Sequence, residues 1–434
     1  MKVLIEYYDK DVLKNIVAPL TLKPDVVVYL HDKGMTDMNA FRSLKTCFEK
    51  SMPHIKVENI PVDIRSVEGL RKATCRVAER YGAANCTLEM TGGSELMMIA
   101  GYKAGSQTGM QMVHTDLVER RINDVETDEK VCDTVQLTLE NFLDAKGAEL
   151  MGESHRPPQP ERYEPIRKMA QFLFRHLKDW KTTCSWLQTV ASRGLPHEMT
   201  IDSPRKVTMK NGREVWIVDE VLEEFQRNGF IENLKLEDNK VSFRFCSMED
   251  KTYCISYGVW LELHVYVAAA SSGVFDDVKL GTMIDWDIYD GTRMGGNEID
   301  VVLMDDSLPV FISCKLREAD TAALNELLIG KKRLGGWFSK GLIATYSKEK
   351  EEKTGTYLRC KELGLEMLDE RDILAPDFSD RLVEQSVFIR LQFDTDLLLS
   401  LGFFFFAHFF VFSTIFEKFH IQDLSNLNIY LFHL

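Results

Sequence analysis

The sequence lacks the cysteine pairing that staples or metallates a small secreted domain. Its nine cysteines (Cys47, Cys75, Cys86, Cys132, Cys184, Cys246, Cys254, Cys314 and Cys360) are odd in number, scattered, and form no CxxC pair. That spacing suits neither a disulfide framework nor a zinc site; it suits reduced thiols in a cytoplasmic protein. The N-terminus, MKVLIEYYDKD, has no long apolar region of the secretory kind. An excess of positive charge is also missing, with 53 Lys plus Arg against 67 Asp plus Glu and a formal charge of -14. A chain coated in basic surface is excluded, whereas a local basic groove is not. There is no GxGxxG fingerprint and no GK[ST] P-loop, so the usual dinucleotide and nucleoside-triphosphate cradles are absent.

What is present is a long, mostly globular chain. Its 434 residues, 45% hydrophobic and 28% charged, suit two to four domains. Residues 1–146 alternate β-branched runs at Lys2–Tyr7, Asp25–Leu30, Lys56–Ile60, Asn85–Met90 and Gln111–Thr115 with amphipathic stretches between them. Strands apolar on both faces with helices between them predict a mostly parallel α/β sheet of Rossmann-like type. Thr134–Lys146 reads as a further helix. Three prolines at Pro157, Pro158 and Pro160 predict a linker over 147–160. Residues 161–245 then read as helices at Tyr163–Lys178, Cys184–Ser192 and Val218–Asn228, followed by strands at Phe230–Leu236 and Lys240–Phe245, a winged helix-turn-helix pattern. Residues 246–385 read as a second α/β unit. It has a helix at Lys251–Ala270, paired strands at Glu298–Met304 and Val310–Leu316, a helix at Glu318–Leu334 and a strand at Lys340–Thr345.

The last region, 386–434, is of a different kind. Eleven of the 25 Phe lie between Leu391 and Leu434, and Leu397–Phe416 holds no Asp, Glu, Lys or Arg. Its length and polarity meet the threshold for a membrane-spanning helix. However, it lacks a flanking basic cluster, and a tail foreign to the domain plan, such as translation past a frame change, fits equally well.

Two constellations carry chemistry. Thr91-Gly92-Gly93-Ser94-Glu95 follows the fourth strand and opens a helix. Two glycines there allow positive φ and close approach, and the first-turn N–H groups of a helix attract an anion. The first strand ends in the same sense at Tyr7-Tyr8-Asp9-Lys10, with Asn15 beyond, so Lys10 is placed to pair with phosphate and Tyr7 or Tyr8 to stack on a base. A plain structural turn is the competing reading, and Glu95 would repel phosphate.

The second constellation is Asn297-Glu298-Ile299-Asp300-Val301 followed by Ile312-Ser313-Cys314-Lys315. Residues two apart on a strand share a face, so a hairpin would gather Glu298, Asp300 and Lys315 on one side. Two carboxylates can hold Mg²⁺ or Mn²⁺, and a lysine beside them can activate water and stabilise phosphoryl charge. Upstream, Glu262 interrupts an otherwise apolar helix. Lys331, Lys332, Arg333 and Lys340 follow as candidate backbone contacts for nucleic acid.

In this order and spacing, the two motifs resemble the CRISPR ancillary nucleases that join a CARF sensor domain to a PD-(D/E)xK nuclease domain through a winged helix. The resemblance covers about residues 1–385. It implies a homodimer that binds a cyclic oligoadenylate, usually cyclic tetra-adenylate, made by a type III CRISPR complex. It also implies a nuclease dependent on Mn²⁺ or Mg²⁺ that cuts DNA, RNA or both in antiviral defence. By the same resemblance, Tyr8, Asp9, Lys10, Asn15, Thr91, Gly92, Gly93, Ser94 and Glu95 would contact the ring. Asp300, Glu298, Glu262 and the Cys314 carbonyl would hold the metal, with Lys315 as the catalytic lysine. One departure stands out: Ser313 occupies the position where the family has an acidic residue. It leaves room for a ligand-controlled DNA-binding regulator whose nuclease-like domain is impaired. A membrane-attached effector acting through the Phe-rich tail is a third reading.

Overall fold

In the computed structural model, residues 1–153, 156–291, 297–334 and 338–387 are described. The Phe-rich stretch 397–416 lies outside them, as does nearly all of the 386–434 tail. The first sheet holds β1 (Val3–Tyr7), β2 (Val26–Asp32), β3 (Lys56–Val62), β4 (Cys86–Glu89), β5 (Gln111–Asp116), β6 (Arg121–Asp124) and β7 (Lys130–Asp133). Their order is β3-β2-β1-β4-β5-β6-β7, with the first five parallel and the last two antiparallel. All five residues of β1 are buried, as expected for a central strand covered on both faces. Helices α1 (Leu13–Leu22), α2 (Asn39–Glu49), α3 (Val67–Tyr81), α4 (Glu95–Thr108) and α5 (Leu139–Lys146) surround it. Leu139 opens α5 later than the sequence pattern predicts. The β6–β7 hairpin, short and polar, carries little alternation by which to find it.

The strand order sets where a ligand can bind. β2 and β3 extend the sheet on one side of β1, and the chain then crosses back to lay β4 on the other. A crevice opens beyond the carboxyl ends of two strands whose connections depart in opposite directions. Here those ends are Tyr7 of β1 and Glu89 of β4.

Glu149–Glu153 forms β8 and corrects the reading of 147–160 as linker. It pairs antiparallel at the edge of the second large sheet, with Asp285↔Glu149 and Ile284↔Leu150 in register. A lone edge strand has few apolar residues to identify it, because its pairing is supplied by a strand more than a hundred residues away.

The middle region contributes α6 (Tyr163–Arg175), α7 (Leu177–Ala191), β9 (Thr200–Pro204), β10 (Lys206–Thr208), β11 (Glu214–Trp216), α8 (Asp219–Arg227), β12 (Ile231–Leu236) and β13 (Lys240–Phe245). β12, β13 and β9 form an antiparallel sheet, and β10 pairs with β11. Trp180, Trp186, Phe225 and Phe230 are buried together beneath it, with Trp260 of the next unit.

The second large sheet runs β18-β17-β16-β15-β14-β8. Its strands are β14 (Asp277–Asp285), β15 (Asn297–Asp305), β16 (Leu308–Lys315), β17 (Lys340–Thr345) and β18 (Glu366–Leu368). Helices α9 (Met248–Ile255) and α10 (Val259–Ser272) precede it, so the single helix expected at Lys251–Ala270 is two, parted at Ser256-Tyr257-Gly258. α11 (Thr321–Leu334) follows β16. One sheet face, with Val301, Leu303, Val310 and Ile312, joins the aromatic core that includes α10. The other, with Val302, Met304, Phe311 and Ile343, shares a core with α11, α5, α2 and α1. The two large sheets thus pack through the helices between them. Among the described residues no helix is long and apolar enough to cross a membrane. None of the nine cysteines, all among the described residues, is in a disulfide, and seven of them are buried.

Candidate functional site: a carboxylate–lysine cavity and a glycine turn

β15 and β16 pair antiparallel, with Val301↔Ile312 and Val302↔Phe311 in register. The alternation of a strand then places Glu298, Asp300, Ser313 and Lys315 on the face that carries Val302 and Phe311. There they line a cavity of about 210 Å³ with Trp286 and with Glu326, Leu327 and Gly330 of α11. Asp300 is held from three directions. Its Oδ2 accepts from the Cys314 backbone N–H at 2.6 Å, from Lys315 Nζ at 3.2 Å and from Ser313 Oγ at 3.4 Å.

Burial pulls the Lys315 pKa down, but the charge and hydrogen bond of Asp300 outweigh it and the net direction is up. Lys315 is therefore a fixed cation at neutral pH. Burial pushes the Cys314 thiol well above its ordinary range, and Asp300 adds to that.

Glu262 is placed differently from the other three. It belongs to α10, which packs on the opposite face of the sheet, and it does not line the cavity. It still senses the site through the field. Burial, then Asp300, then Glu298 raise its pKa to about 8, and Lys315 offsets only part of this. Its Oε2 is buried with no hydrogen-bond partner. Among the described residues no group of three or more His, Cys, Asp or Glu converges to hold a metal ion. The Asp300 carboxylate is engaged by Lys315 and by the Cys314 N–H.

The basic residues after β16 are largely engaged. Lys340 donates to the Gln385 and Val387 carbonyls at the end of the chain's last described helix, and Lys331 donates to the Gly364 carbonyl at 3.2 Å. Burial lowers the pKa of both. Arg333 lies over the Trp286 ring at 5.4 Å, and Lys332 is exposed. The expected nucleic-acid contacts thus reduce to Lys332 and, in part, Arg333.

The glycine turn sits at the crevice that the strand order opens. A Cβ on Gly92 would lie 2.8 Å from the Tyr7 carbonyl oxygen. Gly93 has φ +97, and a Cβ there would meet Tyr7 Cβ and Met97 Sδ at 2.8 Å. Both glycines are thus required by the approach of β1. Gly93→Ala is expected to destabilise the fold by about 1–3 kcal/mol through strain and overlap, measured by urea denaturation.

The anion expected at this turn is partly supplied by the protein itself. Asp9 Oδ2 accepts from the Gly93 N–H at 2.9 Å and from Lys14 Nζ at 3.3 Å. Asn15 is buried and braces the same loop, accepting from the Asp9 N–H and donating to the Asp9 and Asp11 carbonyls. Thr91 is also turned inward, donating from its N–H and hydroxyl to Glu89, which also accepts from Thr115. Ser94 and Glu95 open α4, and Glu95 is exposed.

Tyr8 packs its ring 5.2 Å from Phe41. With Lys10, Asn15, Ser43 and Lys146 it lines a second cavity of about 370 Å³, whose far side is Trp286, Asp287 and Tyr289. Lys146 was missed by sequence reading, since a single lysine at a helix end carries no motif. Glu6 on β1 was missed as well. It is buried with both carboxylate oxygens unpartnered, and burial and then Glu89 raise its pKa.

A parallel Rossmann-like sheet joined to a mixed sheet with a carboxylate–lysine hairpin makes this a mixed α/β protein. No family model and no curated protein matches the chain. Among solved structures, Can2 from Sulfobacillus thermosulfidooxidans in complex with cyclic tetra-adenylate is similar with a TM-score of 0.64 and 15% identity, over 89% of this chain and 99% of that one. Protein VC1899 from Vibrio cholerae is similar with a TM-score of 0.69 and 14% identity, over 88% and 97%. These likenesses show a shared fold over nearly the full length of both.

Proposed function

We propose that this chain is a cyclic-oligoadenylate-activated, divalent-metal nuclease of type III CRISPR defence, cutting phosphodiesters in DNA or RNA. The observation that carries the reading is the Lys315–Asp300 ion pair with Glu298 in one cavity, on a fold shared with a protein solved with cyclic tetra-adenylate. In this reading residues 1–146 are the CARF sensor, 161–245 the winged helix and 246–385 the PD-(D/E)xK nuclease unit.

The residues offer a divalent cation a set that has not converged: Asp300 and Glu298 line the cavity, and Glu262, whose buried Oε2 has no partner, feels the charge of both. Asp300, Glu262, Glu298 and the Cys314 carbonyl would hold Mn²⁺ or Mg²⁺, which supplies Lewis acidity toward a phosphate and a water of lowered pKa. Lys315, cationic at neutral pH, stabilises negative charge on the phosphoryl oxygens. Ser313 offers only a hydroxyl, so it orients Asp300 without adding charge. On the sensor side, Lys10 faces ring phosphate and Tyr8 offers an aromatic face. Asp9 must yield the Gly93 N–H if phosphate is to take it.

A homodimer is part of the reading. Leu96, Ile99 and Tyr102 are exposed on α4 directly after the glycine turn, at helical spacing that gathers them on one side. A second copy covering this stripe would bring two turns together over one ring. Ile99→Asp is expected to yield monomers by light scattering, and a dimer that persists would remove α4 from the interface.

The test of the whole reading is a cleavage screen. Single- and double-stranded DNA and RNA are offered with Mn²⁺ or Mg²⁺, with and without cyclic tri-, tetra- and hexa-adenylate. Cleavage that needs both metal and ring supports it; no cleavage in any combination defeats it. The second reading, a ligand-controlled DNA-binding regulator with an impaired nuclease unit, is favoured by Ser313 and by the unconverged carboxylates. Ring-dependent duplex binding without cleavage would establish it.

A further inference from the structure

We infer that the loop Trp286–Tyr289 mechanically couples the two cavities, with Trp286 as their shared wall and Tyr289 as the clasp to the N-terminal unit. The inference rests on the functional reading above only for what each cavity binds. Trp286 is the only described residue that lines both the Asp300–Lys315 cavity and the Tyr8–Lys10 cavity. Its Nε1 is buried with no hydrogen-bond partner, so no hydrogen bond fixes the indole. Arg333 covers one face of the ring.

The loop is tied at both ends. On one side it continues β14, which pairs with β15 through Met283↔Glu298, so a shift in the loop is carried into the strand that presents Glu298 and Asp300. On the other side it is gripped by α2 and the end of α5. The Tyr289 hydroxyl lies 3.1 Å from Ser43 Oγ, and the Arg42 guanidinium sits 5.0 Å from the Tyr289 ring centroid. The Ile288 N–H donates to the Gly147 carbonyl at 2.9 Å. Tyr289 packs so closely that a Cβ on Gly147 would lie 2.8 Å from Tyr289 Cε2. Ser43 itself lines the Tyr8–Lys10 cavity. A ligand that displaces the Ser43 side of this cavity therefore moves Tyr289, and the rigid indole transmits the displacement to the carboxylates. A packed element with two discrete arrangements is what coupling between separated sites requires.

The test is a double-mutant cycle on the full chain, read first without any ligand. Tyr289→Phe is expected to speed amide hydrogen exchange in residues 297–315 by roughly fivefold. In a Trp286→Ala background the same substitution should add nothing, because the wall is already gone. Trp286→Phe, which keeps a flat ring, should restore the response. If Trp286→Ala does not fold, Trp286→Leu takes its place. Additive effects, or changes confined to the loop and α2, would overturn the inference.

The second readout compares ring affinity with ring-stimulated cleavage. Tyr289→Phe should lower stimulation roughly tenfold more than it lowers affinity for cyclic tetra-adenylate. Equal losses would overturn the coupling. If the parent chain neither binds ring nor cuts, the functional reading falls, and the exchange cycle still decides this inference.

Discussion

Lys315→Ala is expected to cut nucleic acid at least about 100-fold more slowly than the parent chain, with ring affinity unchanged. The size follows from its place. Lys315 is half-buried, paired with Asp300 at 3.2 Å, and among the described residues it is the only Lys or Arg lining the carboxylate cavity. Its removal leaves the cavity that Asp300 and Glu298 line with no side-chain cation to meet phosphoryl charge. Lys315→Arg should recover part of the rate, because the charge returns with different geometry. Steady-state cleavage and a ring-binding titration measured on the same preparation separate loss of catalysis from loss of folding. A Lys315→Ala variant that cuts at the parent rate would remove this cavity from the reaction.

The second large effect is a pH dependence of stability. Glu262 has its pKa raised from 4.5 to about 8 in the folded chain, so the fold holds a proton that the unfolded chain releases. The stabilising contribution is complete below about pH 4.5 and is lost as pH rises through about 8. With a chelator present, unfolding free energy should therefore fall across that window by an amount on the order of a few kcal/mol. Glu6 and Glu89, also raised by burial, bend the curve in the same direction. The difference between parent and Glu262→Gln isolates the Glu262 part, since the amide is uncharged throughout. Parallel stability–pH curves for the two proteins would show that Glu262 is ionised in the fold.

Asp300, Glu298 and Lys315 were legible because strand alternation is a local rule. Once β15 and β16 pair, their faces follow from residue number alone. Glu262 was legible as an anomaly, a carboxylate in an apolar helix. Its position on the opposite face of the sheet was not legible, because that depends on which face α10 covers. The glycine turn was likewise visible as a motif. The occupation of its Gly93 N–H by Asp9 was not, because the two residues are 84 positions apart. The linker expected at 147–160 failed for the same reason, since β8 exists only where β14 offers it an edge.

By itself the sequence determined the alternation of strands and helices, the buried faces, the glycine turn at 92 and 93, and the grouping of Glu298, Asp300 and Lys315. These are matters of backbone sterics and of periods 2 and 3.6, which act over a few residues. Only the tertiary structure decided the strand order that opens a crevice between β1 and β4 and the burial that lifts Glu262. It alone placed Trp286 between two cavities. Those depend on contacts between residues tens to hundreds of positions apart, whose geometry is fixed by packing and carries no local pattern.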